Sequence, residues 1–314
     1  MNTRKRICRM LAAWLLMVMT LALSACRSDE ESVPPPTNEN NGGGHDTWAK
    51  VEFIVREGHF HKDDFHANSG KTPILPKIQK FTFELDANKN IVRKDENGKI
   101  LQPGESPVVV QAGFWGYSME INYYNAKGER MNSQFVTKEM LPVHQHFFTT
   151  KSFSDLKTGA TTDAQGSSYI TNLYSYTYRD TDPIDLMKGE FIPGTTQQTQ
   201  LLNDAVGLKG YFKFTKGSVR FDMKIRFAHL FTPKYANNGT WYPANSPAES
   251  LLASGTTDFS QTVPFVVVAD FSLDGTPESY EKYVKEIADY YKISPEEVKK
   301  NLQTEHDESA GFWM

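Results

Sequence analysis

Cysteine is nearly absent from this chain. Its 314 residues include two, Cys8 and Cys26, and beyond residue 26 there is none. Disulfides, cysteine-ligated zinc, iron–sulfur clusters and a cysteine nucleophile are thereby excluded from the rest of the sequence. Basic charge is also scarce. The formal net charge is −4, and without the first 25 residues, which carry Arg4, Lys5, Arg6 and Arg9 but no acid, it falls to −8. That balance argues against nucleic acid, whose binding needs a basic footprint, and is compatible with a cationic ligand. Catalytic signatures are missing as well: there is no Gly-x-Ser-x-Gly elbow, no P-loop and no dinucleotide fingerprint. Carboxylates abound, but no spacing marks a glycosidase pair. The expectation is a binding protein and not an enzyme.

A long apolar stretch with a basic lead occurs once. Met10 to Leu23 is too short and wrongly flanked for a membrane span, and after Arg4, Lys5, Arg6 and Arg9 it reads as the core of a signal peptide. It closes on Leu23-Ser24-Ala25-Cys26, which resembles the lipobox of bacterial lipoproteins. The resemblance implies that residues 1–25 are removed and that Cys26 is lipidated. The next residues, Arg27-Ser28-Asp29-Glu30-Glu31, resemble the surface-export signal of lipoproteins of the Bacteroidetes. What that implies is a lipid-anchored protein exposed at the cell surface on the outer membrane. Accessory lipoproteins of this class work beside TonB-dependent transporters and capture glycans, haem or metals. Residues 26–46, with Pro34-Pro35-Pro36 and Gly42-Gly43-Gly44, read as a disordered tether.

Strong helix formers are few in the middle of the chain, and Thr, Tyr, Phe and Val are plentiful, which favours β structure. Strands are expected at Trp48–Ile54, Lys80–Leu85, Gly116–Tyr124, His144–Thr150 and Tyr169–Tyr178, with Met131–Val136 returning antiparallel. Val219, Phe221, Met223, Ile225 and Phe227 alternate strictly. They predict a strand over 218–230 that forms a hairpin with 209–214, turned at Lys216-Gly217. Val263–Phe271 is nearly all apolar and suits a central strand buried on both faces. Leu201–Gly210 reads as a short helix. The resulting fold class is an antiparallel β-sandwich-like body, divided into 47–155 and 156–272 as two domains or related halves. A weak echo between His146–Lys151 and His229–Lys234 is compatible with duplication. A helical segment over 273–314 follows, signalled by Thr276-Pro277-Glu278 and by Ser294-Pro295-Glu296-Glu297 as helix starts.

Histidine is where the chemistry concentrates. Three of eight histidines, His59, His61 and His66, fall within eight residues, and His144-Gln145-His146 repeats the His-x-His spacing. Residues i and i+2 of a strand share a face, so each pair can offer two imidazoles to one ion. Imidazole is a preferred donor for zinc and copper. The expected ligands are His59, His61, His66, His144 and His146, with Asp63, Asp64 and His229 as further candidates, and a single site of this kind requires the two pairs to lie within one coordination sphere. His45 and His306 are expected in solvent. Because the imidazoles must be neutral, binding should weaken below about pH 6.5. Haem is the competing ligand, with Met119, Met131 and Met140 as axial candidates. A glycan-binding or adhesive module stacking sugars on Trp115, Trp241, Tyr242 or Trp313 is the other reading. Packing beside Phe60, Phe65, Phe147 and Phe148 would account for the same histidines without any ligand.

Overall fold

Two β-sheets packed face to face form the body, as the alternating pattern predicts. The computed structural model of the chain describes residues 45–68, 74–235, 242–271, 276–302 and 312–314. The expected signal peptide, lipidation site and tether up to residue 44, together with Trp241 and His306, lie outside the described residues. Among the described residues no helix is long and apolar enough to cross a membrane.

In chain order the strands are β1 (Trp48–His61), β2 (Asp64–Ala67), β3 (Ile78–Leu85), β4 (Ile91–Asp95), β5 (Ile100–Leu101), β6 (Val108–Gly113), β7 (Gly116–Asn125) and β8 (His144–Thr149). They continue with β9 (Ser152–Asp155), β10 (Thr161–Asp163), β11 (Tyr174–Tyr178), β12 (Thr181–Asp182), β13 (Gln200–Leu201), β14 (Lys209–Phe214), β15 (Val219–Leu230) and β16 (Gly255–Phe271). The first sheet runs β11-β14-β7-β1-β3-β4-β5, with β2 paired to β1. The second runs β10-β9-β15-β16-β6, with β8 beside β15, and β12 and β13 form a small ribbon. Within the second sheet β6 lies parallel to β16.

Each sheet takes strands from both 47–155 and 156–272, so the expected boundary does not separate the layers. The segments that echo one another are neighbours: β8 and β15 pair antiparallel, His144 opposite His229 and His146 opposite Phe227. The expected hairpin of 209–214 with 218–230 does not form either. Strand β14 pairs with β7 and β11 in one sheet, while β15 pairs with β8, β9 and β16 in the other. Alternation showed that both were strands but not which edge each would meet. Residues 132–136 are a 3-10 turn instead of a returning strand. No helix forms over 201–210, where β13 ends and β14 begins.

The core explains the aromatic weight of the composition. Phe53, Phe81, Phe83 and Tyr123 from the first sheet meet Phe227, Phe259 and other apolar side chains of the second. Strand β16 is buried on both faces, as its apolar run predicts. Val263, Phe265 and Val267 point into the sandwich, while Val266 and Val268 lie under Tyr283, Val284 and Ile287 of the helix Pro277–Tyr291. Thr276 caps that helix, its hydroxyl accepting from the Ser279 amide at 3.2 Å. Ser294 caps the helix Pro295–Leu302 through the Glu297 amide at 3.1 Å. Residues 312–314 are extended and join β2, with reciprocal backbone bonds of 2.9 Å between Phe65 and Met314.

Candidate metal centres

Strand β1 carries one histidine cluster at its end and starts beside another. At the far end, His59 and His61 share a face by strand periodicity, and His66 stands directly opposite His59 across the β1–β2 hairpin. The two-residue turn is closed by Lys62 at φ 60°, the left-handed conformation such tight hairpins require. Phe60, pointing the other way, packs with Phe65 and Tyr211 and holds the hairpin to the sheet. One ring nitrogen from each of His59, His61 and His66 lies within 4.8 Å of the others, an arrangement that can hold a metal ion. His59 Nε2 is 3.0 Å from His61 Nε2. Trp313 stacks on His66 with centroids 4.2 Å apart and lies 5.0 Å from His61.

The orientation of His59 is set from beneath. Its Nδ1 is 2.9 Å from Asn68 Oδ1, and Asn68 Nδ2 donates to Glu57 Oε1 at 3.1 Å. An amide oxygen can only accept, so Nδ1 carries the hydrogen and the lone pair is left on Nε2, facing the cluster. Glu57 is 1 % exposed and is itself held by Lys77, Gln111 and Tyr117.

The two aspartates named as further candidates lie outside this group of three. Asp64 is engaged by Arg179 and by Lys188 Nζ at 2.6 Å, and the Lys188 contact leads in holding its carboxyl below the usual range. Asp63 sits exposed in the turn, where its carbonyl accepts from the Tyr211 hydroxyl.

The second cluster differs from the expected one. His144 on β8 and His229 on β15 are direct cross-strand partners, and they are joined by His45, ahead of β1, and Asp258 on β16. The four ligand atoms lie within 4.8 Å of one another. His45 was expected in the solvated tether, but its side chain is 8 % exposed and packs edge-on against Phe135 and His144. Asp258 had no sequence signal. It sits where the β15–β16 register slips: Phe227 pairs with Phe259 and Ala228 with Thr257, leaving Asp258 as the extra residue. Such a bulge redirects a side chain, and both Asp258 and Phe259 are consequently buried.

His146 belongs to neither cluster. Both its ring nitrogens are occupied, Nε2 by the Tyr123 hydroxyl at 2.8 Å and Nδ1 by the Val206 carbonyl at 3.2 Å. It stacks on Phe227 with centroids 4.2 Å apart, and burial pushes its pKa down to about 3. Protein groups thus take up both the nitrogens and one face of this ring.

The two His-x-His pairs do not converge. The clusters are separated by the length of β1, fourteen residues, which at about 3.3 Å per residue is on the order of 40 Å. Of the other candidates, Met119 and Met131 are fully buried in the core, and Trp115 is partly buried against Phe114 and Phe271. Comparison with protein-family models, curated proteins and solved structures gave no match to this chain, so the chemistry of the two clusters carries the functional reading.

Proposed function

We propose that this chain is a non-enzymatic surface lipoprotein that captures a transition-metal ion, zinc or copper, on the β1–β2 hairpin. The observation that supports this is the convergence of His59, His61 and His66 on one partly exposed hairpin, with His59 oriented through Asn68 and Glu57. Three imidazoles suit zinc and copper. Of the three, His61 is exposed, His59 half-buried and His66 buried, so the open side at His61 leaves positions for water or for a ligand from a receiving protein, as capture and release require. In this reading Cys26 anchors the protein to the outer membrane by lipid, residues up to 44 space it from the surface, and a TonB-dependent transporter receives the ion.

Calorimetric titration of the full-length chain with zinc(II) and copper(II) tests the capture site. Replacing both His59 and His61 by Ala should weaken the exchangeable binding event at least about 100-fold, since each lost ligand or orienting partner costs roughly one to two decades. Equal affinity in the double variant and the parent would refute the hairpin as the capture site.

A further inference from the structure

We propose that His45, His144, His229 and Asp258 form a second, closed metal site that holds zinc(II) and fastens the residues ahead of β1 to strands β8, β15 and β16. The site stands apart from the hairpin reading and does not depend on it.

Two hydrogen atoms in this cluster have forced places. His144 Nδ1 lies 2.9 Å from the Met140 carbonyl, and His45 Nδ1 lies 2.9 Å from the Asp46 carbonyl. A carbonyl only accepts, so in each neutral ring the hydrogen is on Nδ1 and the lone pair on Nε2. Those two Nε2 atoms face one carboxylate oxygen, Asp258 Oδ2, at 3.4 and 3.5 Å. Acceptors thus confront an acceptor inside the protein, where uncompensated charge is costly. A cation between them removes the conflict.

The spacing points to a metal and not to a proton. A proton shared by imidazole and carboxylate draws the heavy atoms to about 2.7–2.9 Å. Two nitrogens at nearly equal, longer distances from one oxygen instead resemble vertices around a common centre. Ligand atoms about 2.0–2.1 Å from a tetrahedral zinc lie roughly 3.3–3.4 Å from each other. His229, paired with His144 across the strands at a ring separation of 4.3 Å, supplies the fourth vertex. Nitrogen and carboxylate donors in a four-coordinate set suit zinc. The side chains of His45, His144 and Asp258 are 8 %, 0 % and 5 % exposed and His229 is half-buried, so an ion there exchanges more slowly than one on the hairpin.

The experiment uses the full-length chain carrying His59→Ala and His61→Ala, which disables the hairpin site. After dialysis against zinc-free buffer, elemental analysis should find one zinc per chain, and X-ray absorption should show a nitrogen and oxygen shell with imidazole scattering. Adding Asp258→Asn or His229→Gln should lower the retained zinc at least tenfold. The proposal is overturned if the hairpin variant neither retains zinc nor binds added zinc(II), or if zinc retention is unchanged by both further substitutions. Should those substitutions prevent folding, seen as loss of the β circular-dichroism signal, the metal content and shell of the hairpin variant decide alone. A parent chain that lacks exchangeable binding but keeps one inert zinc would sink the capture reading and leave this one standing.

Discussion

His144 Nε2 stands 3.4 Å from Asp258 Oδ2 while its other ring nitrogen is committed to the Met140 carbonyl. With the Nε2 lone pairs of His144 and His45 both turned toward one buried carboxylate oxygen, positive charge at the centre of the cluster is what makes that burial tolerable.

Added zinc(II) should therefore raise the stability of the metal-free protein through this cluster. Binding to the folded state alone contributes about 2.7 kcal/mol at a free concentration one hundred times the dissociation constant. Thermal melts in the hairpin double variant should shift upward with zinc concentration, and the shift should vanish in Asp258→Asn. A zinc-independent melting temperature in the double variant would contradict the expectation.

His146 predicts a pH dependence. Its folded pKa is pushed down to about 3 by burial, against an unfolded value of about 6.5. Above pH 6.5 both states are neutral and the group contributes no slope. Below it the unfolded chain takes up a proton that the folded one refuses, so stability falls by about 1.4 kcal/mol per pH unit. Urea denaturation of the metal-free protein between about pH 6 and 4.5 should show this slope, and His146→Phe should be shallower by about that amount. Parallel slopes in parent and variant would count against it.

How much of this was readable from residues alone depends on how local the information was. The helix starts at Thr276 and Ser294 are local and hold. The alternation of β15 and the doubly buried run in β16 hold for the same reason. The hairpin triad was legible because eight residues contain all of its imidazoles. The second cluster was not, since it joins residues 45, 144, 229 and 258 through strand pairings that sequence spacing does not reveal. His-x-His spacing placed His144 and His146 on one face, but not the Tyr123 hydroxyl that occupies the second of them. Nor does anything around Asp258 announce the bulge that buries it.

The helix Pro277–Tyr291 supports β16 from outside, so its buried face should matter for stability. Ile287 is fully buried beside Val266 and Val268. Ile287→Ala removes apolar contact and leaves a cavity, which costs roughly 2–5 kcal/mol in well-packed cores. Denaturant titration should show a loss in that range without a change in zinc content. A loss under about 0.5 kcal/mol, the scale of an ordinary surface substitution, would mean the helix is only loosely applied.

Asn68 should act on metal affinity without touching the metal. It is 8 % exposed, donates to Glu57 and accepts from His59 Nδ1. Asn68→Ala leaves Glu57 with Lys77, Gln111 and Tyr117, so the sheet beneath the hairpin is retained. His59 loses the acceptor that holds its hydrogen on Nδ1, and the imidazole is free to adopt the other tautomer or rotate. Loss of such an orienting partner typically costs 10–100-fold in affinity. Copper(II) binding can be followed through fluorescence, because Trp313 stacks on His66 and lies beside His61, close enough for the bound ion to quench it. The variant should require 10–100-fold more copper for half-quenching, and nitrogen NMR should show His59 leaving its single tautomer. Quenching at the parent's concentration, with the tautomer unchanged, would mean that Asn68 does not position the ligand.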